Sequence, residues 1–157
     1  MMKDENQLKC VILTLSKENV IVPNALVAEI VSVKDIEQDD EMPDWYMGNM
    51  SWRGADVPLI SFEAAGGMDA SKVNLNTQAA VLYAVGRDQD KLSEQPYLAL
   101  IMSGVPHVSQ FTRDQMKTDE DAQFDHPMIA QKVRINGASI SILDVDNMVE
   151  MVAEAAA

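Results

Sequence analysis

Short apolar runs rich in β-branched residues, each ending at a polar turn, constrain the fold of this chain most. "CVILTL" and "VIVP" stand close together near the start, and two such runs around a short polar turn predict a β-hairpin. Near the other end, "QKVRI" and "ASISIL" flank Asn136-Gly137, the strongest short-range hairpin signal in the sequence. Many short strands bounded by turns, with a single credible helix, predict a mainly β fold.

The last segment, "DVDNMVEMVAEAAA", has the pattern of a helix over about residues 145–156. Asp144 or Asp146 could cap it, because a side-chain oxygen at that place accepts hydrogen bonds from the free N–H groups of the first turn. Apolar residues at helical spacing predict its inward face: Val145, Met148, Val149 and Val152.

Two stretches of the first half have echoes in the second half. "GADVPLISFE" from Gly54 overlays "GASISILDVD" from Gly137, and "VIVPNALVAEI" overlays "LIMSGVPHVSQF" with Val22 over Met102. Both similarities are weak, but their offsets of 83 and 80 positions are nearly equal. They predict a duplicated β unit, with chance similarity between alternating strands as the alternative.

The small, polar stretch "EAAGGMDASKVNLNT" is the best candidate for a linker, because it carries the Gly66-Gly67 pair and has little to bury. We expect it to separate subdomain 1, at about 8–66, from subdomain 2, at about 77–144. Together with the helix, they would form a single domain over 1–157.

The charge balance excludes several classes of partner. The chain has 12 basic and 25 acidic residues, a net charge of −13, so nucleic-acid phosphates and anionic membrane surfaces would repel it. The single Cys10 cannot form an internal disulfide. "MMKDENQLK" lacks the apolar core of a signal peptide, and no apolar run approaches the roughly 20 residues of a membrane helix. We expect a cytoplasmic protein.

Motifs of enzymatic chemistry are missing from the sequence. It has no phosphate-binding loop, no dinucleotide fingerprint and no nucleophile elbow. His107 and His126 lie 19 residues apart, without metal-ligand spacing to each other or to Cys10. We expect no cofactor and no metal. A small acid/base hydrolase using Glu29 with a loop aspartate is the remote enzymatic alternative.

The apolar stretch "WYMGNMSWRGADVPLISFE" is interrupted at Arg53-Gly54. A buried arginine without a partner is costly, so Arg53 is expected to be either exposed at a turn or paired. Glu29 is the only acidic residue among the apolar strand positions of the first half, and it is therefore the natural partner. The alternative is an arginine on a solvated hairpin tip.

"VPNALVAEIV" and "P-x-W-x-x-G-x-x-x-x-RG-x-x-VPLISFE" resemble the CheW-like family of chemotaxis coupling proteins. "WRG" and "PLISFE" are closest to the adaptor branch of pilus-motility chemosensory systems, the ChpC type. Ser51, Trp52, Ser61 and Glu63 depart from the common family pattern. The matching positions are Val27, Glu29, Ile30, Gly48, Arg53, Gly54 and Pro58.

The resemblance implies two SH3-like five-stranded β-barrels with a C-terminal helix, and no active site. It implies a scaffold that joins a chemoreceptor tip to a CheA-type histidine kinase and meets the membrane only through the receptor. The control of type IV pilus (twitching) motility is the expected setting. A stand-alone SH3-like module for a pilus or secretion component is the alternative. The implied partner-binding residues are Val27, Glu29, Gly48, Arg53 and Gly54.

Overall fold

The computed structural model describes residues 7–15, 18–34, 36–38, 41–68, 73–74, 76–84, 97–122 and 124–156. The described residues form eleven strands, two α-helices and two short 3-10 turns. The strands are β1 Gln7–Thr14, β2 Asn19–Pro23, β3 Val27–Ser32, β4 Tyr46–Trp52, β5 Ala55–Ile60, β6 Gln78–Tyr83, β7 Tyr97–Met102, β8 His107–Thr112, β9 Met116–Thr118, β10 Ile129–Ile135 and β11 Ala138–Leu143. The helices are α1 Phe62–Ala65 and α2 Val145–Ala156, and the 3-10 turns are Asn24–Leu26 and Arg113–Gln115.

Six strands form barrel A, in the order β8-β1-β2-β11-β10-β9. All neighbours are antiparallel except β2 and β11, which run parallel. The two edge strands, β8 and β9, follow each other along the chain through the turn Arg113–Gln115. The Thr112 N–H donates to Gln115 Oε1 at 2.8 Å and fixes this corner. Strands β8 and β9 are therefore two parts of one bent segment, which lies at both edges of the sheet. With this segment counted once, the barrel consists of five chain segments.

Five strands form barrel B, in the order β3-β6-β7-β5-β4, with β5 and β7 parallel. The chain that follows β3 reaches back to the other edge of the sheet. There Glu37 and Asn49 exchange two backbone hydrogen bonds of 2.9 Å across an isolated bridge. Barrel B thus closes as barrel A does, through the segment that continues its first edge strand.

The two barrels share one strand order, and each contains strands from both halves of the chain. Hairpin β1–β2 belongs to barrel A with β8–β11, whereas hairpin β6–β7 belongs to barrel B with β3–β5. The two halves, at about 8–66 and 77–144, have thus exchanged their first hairpins. The sequence echoes fall on equivalent strands, because Val22 is the last residue but one of β2 and Met102 is the last residue of β7.

Two equivalent hairpins have the same two-residue turn. Arg53 and Gly54 have φ of 48° and 79°, and Asn136 and Gly137 have φ of 52° and 85°. Positive φ at both central residues characterises the turn type whose twist suits a tight hairpin. The Asn-Gly hairpin predicted from the sequence is therefore confirmed.

The main core lies between the barrels and is completed by α2. Leu13 of β1, Leu100 of β7 and Met148 of α2 have no exposed surface. Asp144 caps the helix by accepting a hydrogen bond from the Asn147 N–H at 3.0 Å. The predicted mainly β fold with a C-terminal helix is confirmed. No helix in the described part of the chain is long and apolar enough to cross a membrane.

Candidate partner-binding site

An ion pair between Arg53 and Glu29 spans the closure of barrel B. Arg53 lies in the turn between β4 and β5, and Glu29 lies on β3, the opposite edge strand. The Arg53 Nη2 is 2.7 Å from Glu29 Oε1. The structure thus brings together the two charged residues that the sequence singled out, 24 positions apart in the chain.

The ion pair is open to solvent. The Arg53 side chain is 69% exposed and that of Glu29 is 38% exposed. An exposed pair contributes only about 0–1 kcal/mol to stability, so the fold does not depend on it. Since a guanidinium carries five N–H donors and Glu29 is close to one nitrogen, several donors stay available. The pair therefore orients an accessible cation.

An aromatic row continues from this ion pair to the surface of barrel B. The Arg53 Cζ lies 4.9 Å from the centroid of the Trp52 ring, within the range of a cation–π contact. Tyr97 meets Trp52 edge-on, with 4.8 Å between ring centroids. Tyr83 follows at 5.8 Å from Tyr97 and is 42% exposed. Sequence reasoning missed this row, whose only local signal is a tryptophan next to the arginine.

Gly54 and Gly48 serve the site in different ways. Gly54 is exposed, and a Cβ there would meet no atom within 4 Å, so only its φ of 79° requires glycine. Gly48 is buried, with φ of 136°, and a Cβ there would lie 2.5 Å from the Glu37 carbonyl oxygen and 2.7 Å from Ile36 Cγ2. Gly48 therefore admits the segment that closes barrel B.

Val27 and Glu29 lie on opposite faces of β3 because a register shift separates them. Val27 is opposite Leu82, and Glu29 is opposite Val81, which is the next residue on β6. Leu82 belongs to the core between the barrels, and Val27 packs against that core. Without the bulge, residues two apart would share a face. The structure thus brings Glu29, Arg53 and Gly54 together and turns Val27 away from them.

The cysteine and one histidine are engaged within the fold. Burial raises the pKa of the Cys10 thiol, which disfavours the nucleophilic thiolate. His126 Nε2 lies 2.8 Å from the Phe62 carbonyl oxygen, and its Nδ1 accepts from the Met128 N–H at 3.0 Å. The imidazole of His126 also stacks on the Phe62 ring at 4.0 Å. His126 thus ties the loop before β10 to α1.

Residues 9–153 match the CheW-like domain family, and the chain belongs to this family. A search of curated proteins gave no match. The fold is similar to that of the scaffolding protein TtCheW from Thermoanaerobacter tengcongensis, with a TM-score of 0.70. The comparison covers 92% of this chain and 90% of that chain, at 16% sequence identity, and identity this low supports the fold alone.

Family and fold confirm the predicted resemblance to CheW-like proteins and the predicted two-barrel architecture with its C-terminal helix. The family match also sets the class of function, which is that of a CheW-like scaffold in chemotaxis signalling. Members of the family are non-catalytic scaffolds.

Proposed function

We propose that this protein is a non-enzymatic adaptor that couples the tip of a chemoreceptor to a CheA-type histidine kinase. The observation that carries the proposal is the exposed Arg53, held by Glu29 at the closure of barrel B in a chain of this family. Both residues match family positions, and they meet although they lie 24 positions apart in the chain.

A receptor tip is helical, and a helix that docks on a protein needs apolar contacts and a few charges that fix its register. Arg53 supplies such a charge, because its planar fork can hold a carboxylate or backbone carbonyls. The row Trp52–Tyr97–Tyr83 leads from the buried ring beside Arg53 to Tyr83, which is 42% exposed. Arg53 and Tyr83 thus give the same barrel an exposed cation and an exposed aromatic ring, which suit an amphipathic partner.

The charge distribution favours an acidic contact at Arg53. In the described part of residues 27–102, Lys34 and Arg53 are the only basic residues, and the whole chain carries a net charge of −13. At this turn, an exposed guanidinium attracts a partner carboxylate and disfavours a basic side chain. We infer a partner that presents an acidic side chain or free carbonyl groups to this turn.

The proposed setting is a pilus-motility chemosensory system on the cytoplasmic side of its receptors. "WRG" and "PLISFE" support this branch of the family. In the structure, "PLISFE" ends β5 and begins α1, and Ser61 Oγ caps this helix by accepting from the Ala64 N–H at 3.2 Å. Ser61 and Glu63, which depart from the common family pattern, thus belong to this capped turn.

A pull-down from the native cytoplasm tests the function and the site together. Wild-type protein, Arg53→Glu and Arg134→Glu serve as baits, and mass spectrometry identifies a histidine kinase or chemoreceptor. Arg134 is a matched control, because it is 58% exposed and paired with Asp119 at 3.2 Å, but on barrel A. Circular dichroism verifies that each variant folds.

We expect wild type and Arg134→Glu to recover the kinase or receptor, and Arg53→Glu to lose it. Recovery by all three baits would support the adaptor function but show that its binding site does not depend on Arg53. Recovery by none of them would contradict the proposed function.

A further inference from the structure

Trp52 is an unusual choice for its place in barrel B. It is 92% buried, since only 8% of its surface is exposed, yet its indole N–H has no hydrogen-bond partner among the described residues. Buried donors are nearly always paired, because an unpaired one loses its hydration without compensation. Phenylalanine or leucine would fill the barrel without that cost. The indole ring therefore has a task other than filling space.

The face of the indole ring contacts the guanidinium of Arg53. The Arg53 Cζ lies 4.9 Å from its centroid, and tryptophan is the side chain that attracts a cation most strongly through its π face. Glu29 contacts the same guanidinium with its carboxylate at 2.7 Å. The guanidinium is thus held by two contacts of different kinds, one with an aromatic ring and one with an anion.

The indole itself is held in place. Tyr97 meets it edge-on, with an interplanar angle of 70°. Across the hairpin, Trp52 is opposite Ala55, whose small side chain leaves room for the large ring. Since Trp52 cannot turn freely, it presents a fixed surface to Arg53.

We propose that Trp52 is a positioning residue for Arg53, an inference that rests on the proposed function. Indole and Glu29 together hold the guanidinium in one orientation, with its remaining donors turned toward the carboxylate or carbonyl groups of a partner. Holding a long side chain in advance removes part of the ordering cost of binding. Trp52, which departs from the family pattern, thus strengthens the contact without touching the partner.

The first experiment needs no partner. In nuclear magnetic resonance spectra, protons of the Arg53 side chain above the indole face shift upfield through its ring current. We expect this shift in wild type, a reduced shift in Trp52→Phe and none in Trp52→Leu. Trp45→Phe is the matched control, because Trp45 packs beside Tyr46 at 6.0 Å and has no such contact with Arg53. A wild-type spectrum without the shift would overturn the proposal.

The second experiment uses the kinase or receptor recovered by the pull-down as the probe, titrated calorimetrically. We expect Trp52→Leu to weaken its affinity about two- to fivefold, as the loss of one cation–π contact implies. Trp52→Phe should fall between, and Trp45→Phe should bind as wild type does. Affinity unchanged in Trp52→Leu, although its ring-current shift is lost, would overturn the positioning role.

The failure of this inference can be told from the failure of the proposed function. If wild-type protein recovers neither kinase nor receptor, the adaptor proposal fails, and the ring-current shift alone decides whether Trp52 holds Arg53. If wild type binds and Trp52→Leu binds with the same affinity, the adaptor proposal stands and the positioning role falls. Trp52→Phe serves for both readouts if thermal unfolding shows that Trp52→Leu does not fold.

Discussion

Arg53 and Asn136 occupy the same position of two equivalent turns, with φ of 48° and 52°. Asparagine tolerates this left-handed conformation, because its short side chain can bond locally, whereas it costs most other residues roughly 1–2 kcal/mol. At Arg53 the ion pair with Glu29 and the contact with Trp52 offset this cost. Barrel B thus keeps an arginine where local conformation favours asparagine, which fits a role in binding.

Exchanging the two turn residues separates conformational strain from contacts. We expect Asn136→Arg to lower the free energy of unfolding by about 1 kcal/mol, because the new arginine takes on the strain without the offsetting contacts. Arg53→Asn should change stability by less, since relieved strain and lost contacts oppose each other. Urea denaturation measures both. An Asn136→Arg variant as stable as wild type would contradict this account of the turn.

Gly48 leaves the space that barrel B needs to close, and its replacement should destabilise the protein strongly. A Cβ at Gly48 would overlap the Glu37 carbonyl oxygen at 2.5 Å and break the bridge to Asn49. We expect Gly48→Ala to lose roughly 3 kcal/mol or more, the size of strain at a special backbone position combined with a packing clash.

Gly54→Ala is the matched control for that measurement. A Cβ at Gly54 meets nothing within 4 Å, so only the φ of 79° opposes alanine. A loss of about 1 kcal/mol is expected from the backbone conformation alone. Equal losses in the two variants, measured by chemical denaturation, would show that the approach of Glu37 to Gly48 is unimportant.

Local pattern in the sequence predicted the hairpin of β1 and β2, the Asn136-Gly137 turn, the helix from Val145 and the meeting of Glu29 with Arg53. The hairpin, the turn and the helix depend on residues close together in the sequence. The pair of Glu29 and Arg53 could be predicted because charged residues are scarce among the apolar strand positions. The register shift after Val27 escaped prediction, because a bulge adds one residue without a distinct composition.

The exchange of hairpins between barrels also escaped prediction. Strand β2 pairs in parallel with β11, with Val20 opposite Ser141, so residues more than 100 positions apart are neighbours. Alternation of apolar residues decides which face of a strand is buried, but not which strand lies beside it. The proposed role of Trp52 depends on the closure of barrel B, which brings Glu29 to the turn.

Helix α2 belongs to the core that both barrels share, so its packing should control the stability of the whole domain. Met148 has no exposed surface in that core, and Met151 is half-buried at its border. We expect Met148→Ala to lower the free energy of unfolding by about 2–5 kcal/mol, and Met151→Ala by clearly less. Thermal or urea unfolding would contradict this if the two variants lost the same stability.

Cys10 gives the stability of the protein a component that depends on pH. Burial raises the pKa of its thiol above the ordinary value of 9.0, so the folded state holds this proton more tightly than the unfolded state does. The resulting stabilisation is complete below about pH 9 and is lost as the pH rises through the higher pKa of the folded protein. Cys10→Ala should remove this component. Unfolding free energies of both proteins from pH 7 to 10 test it, and parallel curves would contradict it.

The guanidinium group of Arg53, and not its charge alone, should determine partner binding. Arg53→Lys keeps the charge but loses the planar fork that can meet Glu29 and a partner at once. We expect it to fold as wild type does and to bind the kinase or receptor about tenfold more weakly, as the loss of a charge-assisted hydrogen bond of roughly 1.5 kcal/mol implies. Arg134→Lys, on barrel A, is the control and should bind normally. If Arg53→Lys binds as tightly as wild type at low and at physiological salt, a point charge at the turn is sufficient.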